Sequence, residues 1–141
     1  MTSVRVQSLL ATELDEALVL ARLGAADLDP ESWRFYVLSR LRNHSEGGAL
    51  AARNAAGRLC GLIVYRIVAS EAAKPSLEVE RLVAFDLLHP RAIADALIAE
   101  AVSQARLQDC DSLRLVRPLD TPADTTALVL ASGLGDLHSV F

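Results

Sequence analysis

One stretch, Leu77 to Leu107, restricts the fold more than any other part of the chain; it reads LEVERLVAFDLLHPRAIADALIAEAVSQARL. Leu77 to Phe85 is rich in Leu and Val and reads as a strand. Asp86 to His89 is a short loop. Pro90 then opens a long helix, at a position where a missing N–H costs no intrahelical bond. Ile93, Leu97, Ala101 and Ala105 recur every four residues, with Ala94, Ile98 and Val102 beside them, so the helix carries one broad apolar face. A strand running straight into a helix start gathers unpaired N–H groups and the positive end of the helix dipole at His89 to Ala94. That is a seat for an anion such as phosphate. The same spacing also serves a plain strand–loop–helix connection with nothing bound.

The other elements can be read in chain order. Val4 to Leu9 alternates weakly, as an edge strand does. Thr12 and Asp15 have the spacing of a capping box, and Leu14, Leu18 and Ala21 then share a helical face that Gly24 would end. Asp29-Pro30 reads as N-cap and first position of a second helix, with Trp33, Val37 and Leu41 on one side. Asn43 to Gly48 reads as a loop and Ala49 to Arg53 as a strand. Asn54 to Gly57 joins it as a hairpin to Leu59–Val68, which is apolar on both faces apart from Arg66 and so reads as central. After Leu107 come a turn at Asp109 to Ser112 and a strand from Leu113 to Pro118. Thr121, Pro122 and Asp124 cap another helix that Gly133 stops, and Asp136 to Phe141 reads as a last strand. This order predicts an α/β (α+β) fold, a mixed and mostly antiparallel sheet flanked by helices. At 141 residues the chain reads as one domain, 1–141.

Charge and residue usage remove several function classes. The net charge is −4 and Lys74 is the only lysine, with the arginines scattered rather than clustered along a face. Nucleic-acid binding is therefore not expected. The sequence has no membrane-length apolar run and no signal-peptide pattern, which predicts a cytoplasmic protein without membrane contact. His44, His89 and His138 lack metal-ligand spacing with Cys or carboxylates, so no metal is expected. Cys60 and Cys110 lie beside apolar runs and read as buried free thiols.

With these residues in view, the stretch from Leu77 resembles the acyl-CoA-binding core of the GNAT N-acetyltransferases. Their pattern is a strand, a short turn, then Arg/Gln-x-x-Gly-x-Gly/Ala opening a helix. In that register His89 takes the Arg/Gln position, Ala92 the first Gly and Ala94 the Gly/Ala. Gly133-Leu134 resembles the Gly-Phe that ends a later helix. The resemblance spans nearly the whole chain in element order, and it implies an acyltransferase fold with acetyl-CoA as co-substrate. It further implies that Leu82, Val83 and Ala84 polarise the thioester carbonyl through the backbone, and that His89, Arg91, Ala92, Ile93 and Ala94 hold the pyrophosphate. Glu80 is the candidate general base, because an acidic residue stands on this strand in some members; the bland reading is a solvent-facing Glu78 and Glu80 paired with Arg81 or Arg114. The tyrosine that often serves as general acid corresponds to Val129, which has no proton to give. Tyr65, Tyr36 or His138 would have to replace it.

The sequence thus predicts transfer of an acetyl or acyl group from CoA to a small-molecule or peptide amine. The competing reading is a catalytically inactive protein of the same fold that binds a ligand or partner. The tail beyond Gly135 is short for the family's last strand pair, which predicts an exposed sheet edge and a homodimer.

Overall fold

The structure, a computed structural model, describes residues 4–23, 25–69, 74–86 and 89–115. The Gly24 cap, the helix from Thr121, the last strand and His138 lie outside them. Among the described residues, five strands form one sheet in sequence order: β1 (Arg5–Ser8), β2 (Gly47–Arg53), β3 (Leu59–Val68), β4 (Ser76–Ala84) and β5 (Ser112–Leu115). β1 to β4 pair antiparallel in succession, and β5 lies parallel to β4 because helix α3 (Pro90–Leu107) carries the chain back across the sheet. This is the mixed, mostly antiparallel sheet flanked by helices that the element order predicts.

Alternation along the strands feeds two cores. Leu50, Ala52, Ile63, Leu77, Val79, Leu82 and Ala84 face α3 and meet Ile93, Ala94, Leu97 and Ala101. Ala49, Ala51, Leu62 and Val64 face the other way, onto α1 (Leu14–Ala21) and α2 (Pro30–Leu41). Trp33 joins those two helices: it is 1 % exposed, and its Nε1 donates to the carbonyl of Leu14 at 3.0 Å. No helix among the described residues is long and apolar enough to cross a membrane.

Local chemistry sets the element ends, with two departures from expectation. Asp29 caps α2 as its position predicts, its Oδ2 accepting from Ser32 N–H at 2.9 Å. At the first helix the reciprocal contact is made elsewhere: Glu13, not Asp15, reaches back, accepting from Leu10 N–H at 2.7 Å across a short 3₁₀ turn. Gly47 and Gly48 belong to β2 rather than to a loop. A Cβ on Gly48 would lie 2.6 Å from the Tyr65 hydroxyl oxygen, so the glycine lets the tyrosine lie against the strand. Gly57 holds φ at 81° in the β2–β3 hairpin, the positive φ expected of it.

Arg53 of β2 clamps the first helix to the sheet. Its guanidinium donates to Glu13 and, at 2.8 Å, to Glu16 Oε1. That hydrogen bond holds the Glu16 carboxyl below its ordinary pKa, although burial pushes the other way. A carboxyl depressed on folding contributes stability above its unfolded pKa, and the contribution is lost as pH falls through the folded value. Arg53→Met is therefore expected to lower thermal stability at neutral pH. It should also flatten the decline in stability below about pH 4.3, the ordinary Glu value. A melting series in acid for parent and variant measures both effects.

Candidate functional site

The candidate residues lie along β4 and at the start of α3, into which the strand leads, apart from Tyr65 on β3. The pairing of β3 with β4 shifts register between Val64 and Tyr65: Val64 pairs with Arg81, but Tyr65 pairs with Val79. Glu80 is the extra residue of a β-bulge, which turns two successive side chains to one face. Glu80 and Arg81 accordingly both meet α2, while Val79 and Leu82 on either side of them face α3.

Glu80 sits at the centre of a charged row. Arg40 of α2 grips it bidentately, Nε to Oε1 at 2.6 Å and Nη2 to Oε2 at 3.0 Å. The Tyr36 hydroxyl donates to Oε1 at 3.1 Å, and Arg66 Nε lies 3.7 Å from Oε2. Next along the strand, Glu78 is buried between its cross-strand neighbours, with Arg66 Nη2 at 3.0 Å and Arg114 Nη1 at 3.7 Å. Of the solvent-facing reading only the pairing of Glu78 with Arg114 holds: Glu78 is buried, Arg81 pairs with neither carboxylate, and the partners of Glu80 are Arg40, Tyr36 and Arg66. A carboxylate oxygen offers about two lone-pair sites. Oε1 already accepts from two donors, whereas Oε2 accepts from one, so Oε2 is the oxygen with room for a water or a proton.

Burial pushes the pKa of Tyr36 far up, the Glu80 carboxylate adding to the shift and Arg81 opposing it. The phenol keeps its proton and donates it to Glu80 as a hydrogen bond. Tyr65, the other tyrosine considered, is 6 % exposed and packs in the α3-side core, so the sheet separates it from Glu80. Burial also raises its pKa, with Glu100 a smaller cause.

The strand backbone beyond the bulge presents two donors. Phe85 N–H donates to the carbonyl of Cys60 at 2.8 Å. This makes Ala84–Gly61 and Leu82–Ile63 the non-hydrogen-bonded pairs of the ladder. The N–H groups of Leu82 and Ala84 therefore point away from β3, toward the β5 side, and that of Val83 points into the β3 ladder. The side chains of Leu82 and Ala84 are buried in the core under α3.

At the start of α3 the Asp86 carboxylate accepts from His89 N–H at 2.6 Å and shapes the entry. The side chains of His89, Arg91 and Ala92 are exposed; those of Ile93 and Ala94 are in the core, so only their backbone can face a ligand. No acidic residue stands in the first turn. Arg91 leans on Asp95 at 3.2 Å, with both side chains more than half exposed, so the pair can open at little cost. Pro90 lacks an N–H, and Ala92 N–H already bonds the His89 carbonyl at 3.2 Å.

Cys60 and Cys110 are buried free thiols whose pKa burial raises, the opposite of an activated nucleophile. Among the described residues no group of three or more His, Cys, Asp or Glu could hold a metal ion.

No protein-family profile and no curated protein sequence matches the chain. Solved structures do match it. An aminoglycoside N-acetyltransferase in complex with CoA superposes with a TM-score of 0.74 at 14% identity, over 96% of this chain and 88% of that one. A ribosomal-protein-alanine N-acetyltransferase from Brucella melitensis gives 0.70 at 20% identity, over 89% and 88%. An aminoglycoside 6'-N-acetyltransferase from Acinetobacter baumannii gives 0.73 at 14% identity, over 94% and 90%. At such identities the likeness establishes architecture. Sheet order, the β4–α3 unit and these superpositions agree that the chain has the acyl-CoA N-acyltransferase fold of the GNAT acetyltransferases.

Proposed function

We propose that this protein transfers an acyl group, most simply acetyl, from a CoA thioester to a small-molecule amine. The observation that carries the reading is the junction of β4 and α3. It joins two outward backbone N–H groups, a helix start flanked by the exposed Arg91 and, on the α2 face of the same strand, a carboxylate whose Oε2 accepts a single hydrogen bond. Structural neighbours that are acetyltransferases, one of them holding CoA, support it.

In this reading the chain's residues divide the work as follows. Leu82 and Ala84 N–H groups donate to the thioester carbonyl and stabilise the negative charge that grows on its oxygen. Val83, between them, keeps the strand in register with β3. Glu80 Oε2, directly or through one water, accepts the proton that the amine loses as its nitrogen bonds to the carbonyl carbon. The carbon–sulfur bond breaks and CoA leaves as thiolate. An ordinary thiol, with a pKa of about 8.5, is more acidic than an ordinary phenol. Tyr36, with its pKa raised further, is therefore a donor that fixes Glu80 rather than a proton source for sulfur. Tyr65 lies across the sheet and has no place in this step. The exposed His89 and Arg91 side chains hold the pyrophosphate; Ala92 N–H is already bonded to the His89 carbonyl, and Ile93 and Ala94 lie within the helix and only shape the seat.

The test is acyl transfer to a panel of small primary amines, followed by mass spectrometry of the acylated product. Acylation that requires acyl-CoA supports the reading; no product from any amine contradicts it. Arg91→Ala is expected to weaken CoA roughly three- to tenfold, because its charge-assisted contact compensates for the donors that Pro90 and Ala92 cannot supply. The difference should shrink as salt is added. A variant that binds CoA like the parent at low salt would take the α3 start out of the site.

The same fold could instead serve as a binding module. The observation on that side is Val129 where a catalytic tyrosine often stands. Stoichiometric CoA binding without product from any amine would favour it.

A further inference from the structure

We propose that Arg81 receives a carboxylate of the acceptor, so that the acceptor is an amine bearing an acid group close to its nitrogen, as a free amino acid does. The inference rests on the acyltransferase reading above and concerns the acceptor side of that site.

Three observations carry it. First, the bulge sends Glu80 and Arg81 to the same face, and consecutive Cα atoms are only about 3.8 Å apart. A proton acceptor and a guanidinium thus stand side by side. Second, every other guanidinium of the charged row has a carboxylate: Arg40 has Glu80, Arg66 has Glu78 and Glu80, and Arg114 has Glu78. Among the described residues Arg81 has none. It lies over the Tyr36 ring with its guanidinium carbon 5.6 Å from the ring centre, a contact that orients the charge without neutralising it. Third, the row holds four guanidinium groups against two carboxylates, an excess of positive charge in a chain whose net charge is −4.

A half-buried guanidinium lying over an aromatic ring, with its fork of donors uncommitted, matches the planar geometry of a carboxylate. An amino acid satisfies both neighbours together. Its carboxylate takes Arg81, and its nitrogen comes within reach of Glu80 Oε2. A polycationic amine would bring further positive charge against Arg40, Arg66 and Arg81 and is disfavoured by the same row.

The experiment compares free L-amino acids with the matching L-amino-acid amides, which keep the amine and side chain but lose the negative charge. Acyl transfer with acetyl-CoA gives kcat/KM for each, and ligand-observed NMR in the presence of CoA gives binding without turnover. We expect at least a tenfold preference for the acid over its amide. Arg81→Gln should collapse that preference mainly through KM, and Arg81→Lys should restore part of it. The parent's acid-against-amide ratio needs no variant to fold. Equal handling of acids and amides, a preference that survives in Arg81→Gln, or no binding of either class overturns the proposal. Arg81-dependent binding of acids with no transfer upholds it and removes the acyltransferase reading. Transfer to amides as fast as to acids does the reverse.

Discussion

Glu80→Gln is expected to slow acyl transfer by about a hundredfold or more at saturating substrates, the loss typical of a removed general base, while acyl-CoA affinity stays near the parent's. The substitution keeps the side-chain shape and one acceptor oxygen, but the amide NH2 cannot accept the second hydrogen bond of Arg40, so some stability is lost without leaving an empty space. What disappears is the proton-accepting carboxylate oxygen. A melting curve run beside the kinetics separates the two roles. Slow turnover in a variant that melts near the parent points to chemistry; parental turnover would clear Glu80 of the base role.

Trp33→Ala is expected to carry the largest cost to stability, about 3–5 kcal/mol, the range for deleting a buried Trp side chain. Trp33 is 1 % exposed in the core between α1, α2 and the sheet, and its indole N–H satisfies the Leu14 carbonyl. Truncation leaves a cavity and an unpaired acceptor together. Whole domains are stable by only about 5–15 kcal/mol, so the loss is a large fraction of the total. It also reaches the site. Trp33 packs beside Tyr36, ring centres 6.1 Å apart, on the helix that supplies Tyr36 and Arg40 to Glu80. Urea titration should show the midpoint fall, and residual activity measured well below it should fall too. A parental midpoint would mean that the cavity closes by rearrangement.

The segment Leu59 to Leu107 was the most legible part of the sequence. Long apolar runs, a hairpin glycine and Pro90 each name a local structure on their own, and β3, β4 and α3 start within a residue of where those signals place them. Asp29-Pro30 marked α2 in the same way. The partners of Glu80 were not legible, because Arg40 and Tyr36 are some 40 residues away in sequence and reach it only when α2 packs on the sheet. One signal could have found the bulge. The alternation of Leu77 and Val79 with Glu78 and Glu80 is broken by a second charged residue in succession, Arg81, before the apolar run from Leu82 to Phe85. A regular strand cannot break its alternation without an extra residue. That shift separates Tyr65 from Glu80 and brings Arg81 beside it. Gly47 and Gly48 misled in the other direction: glycine usually marks a loop, but here it admits Tyr65 against the strand.

Calorimetric titration with acetyl-CoA tests the central claim most directly, because every step assigned to β4 and α3 requires acyl-CoA to bind there. The account predicts one site per chain, of modest affinity that weakens as salt is raised and weakens further in Arg91→Ala. No binding heat at millimolar acetyl-CoA, at more than one temperature, would contradict it.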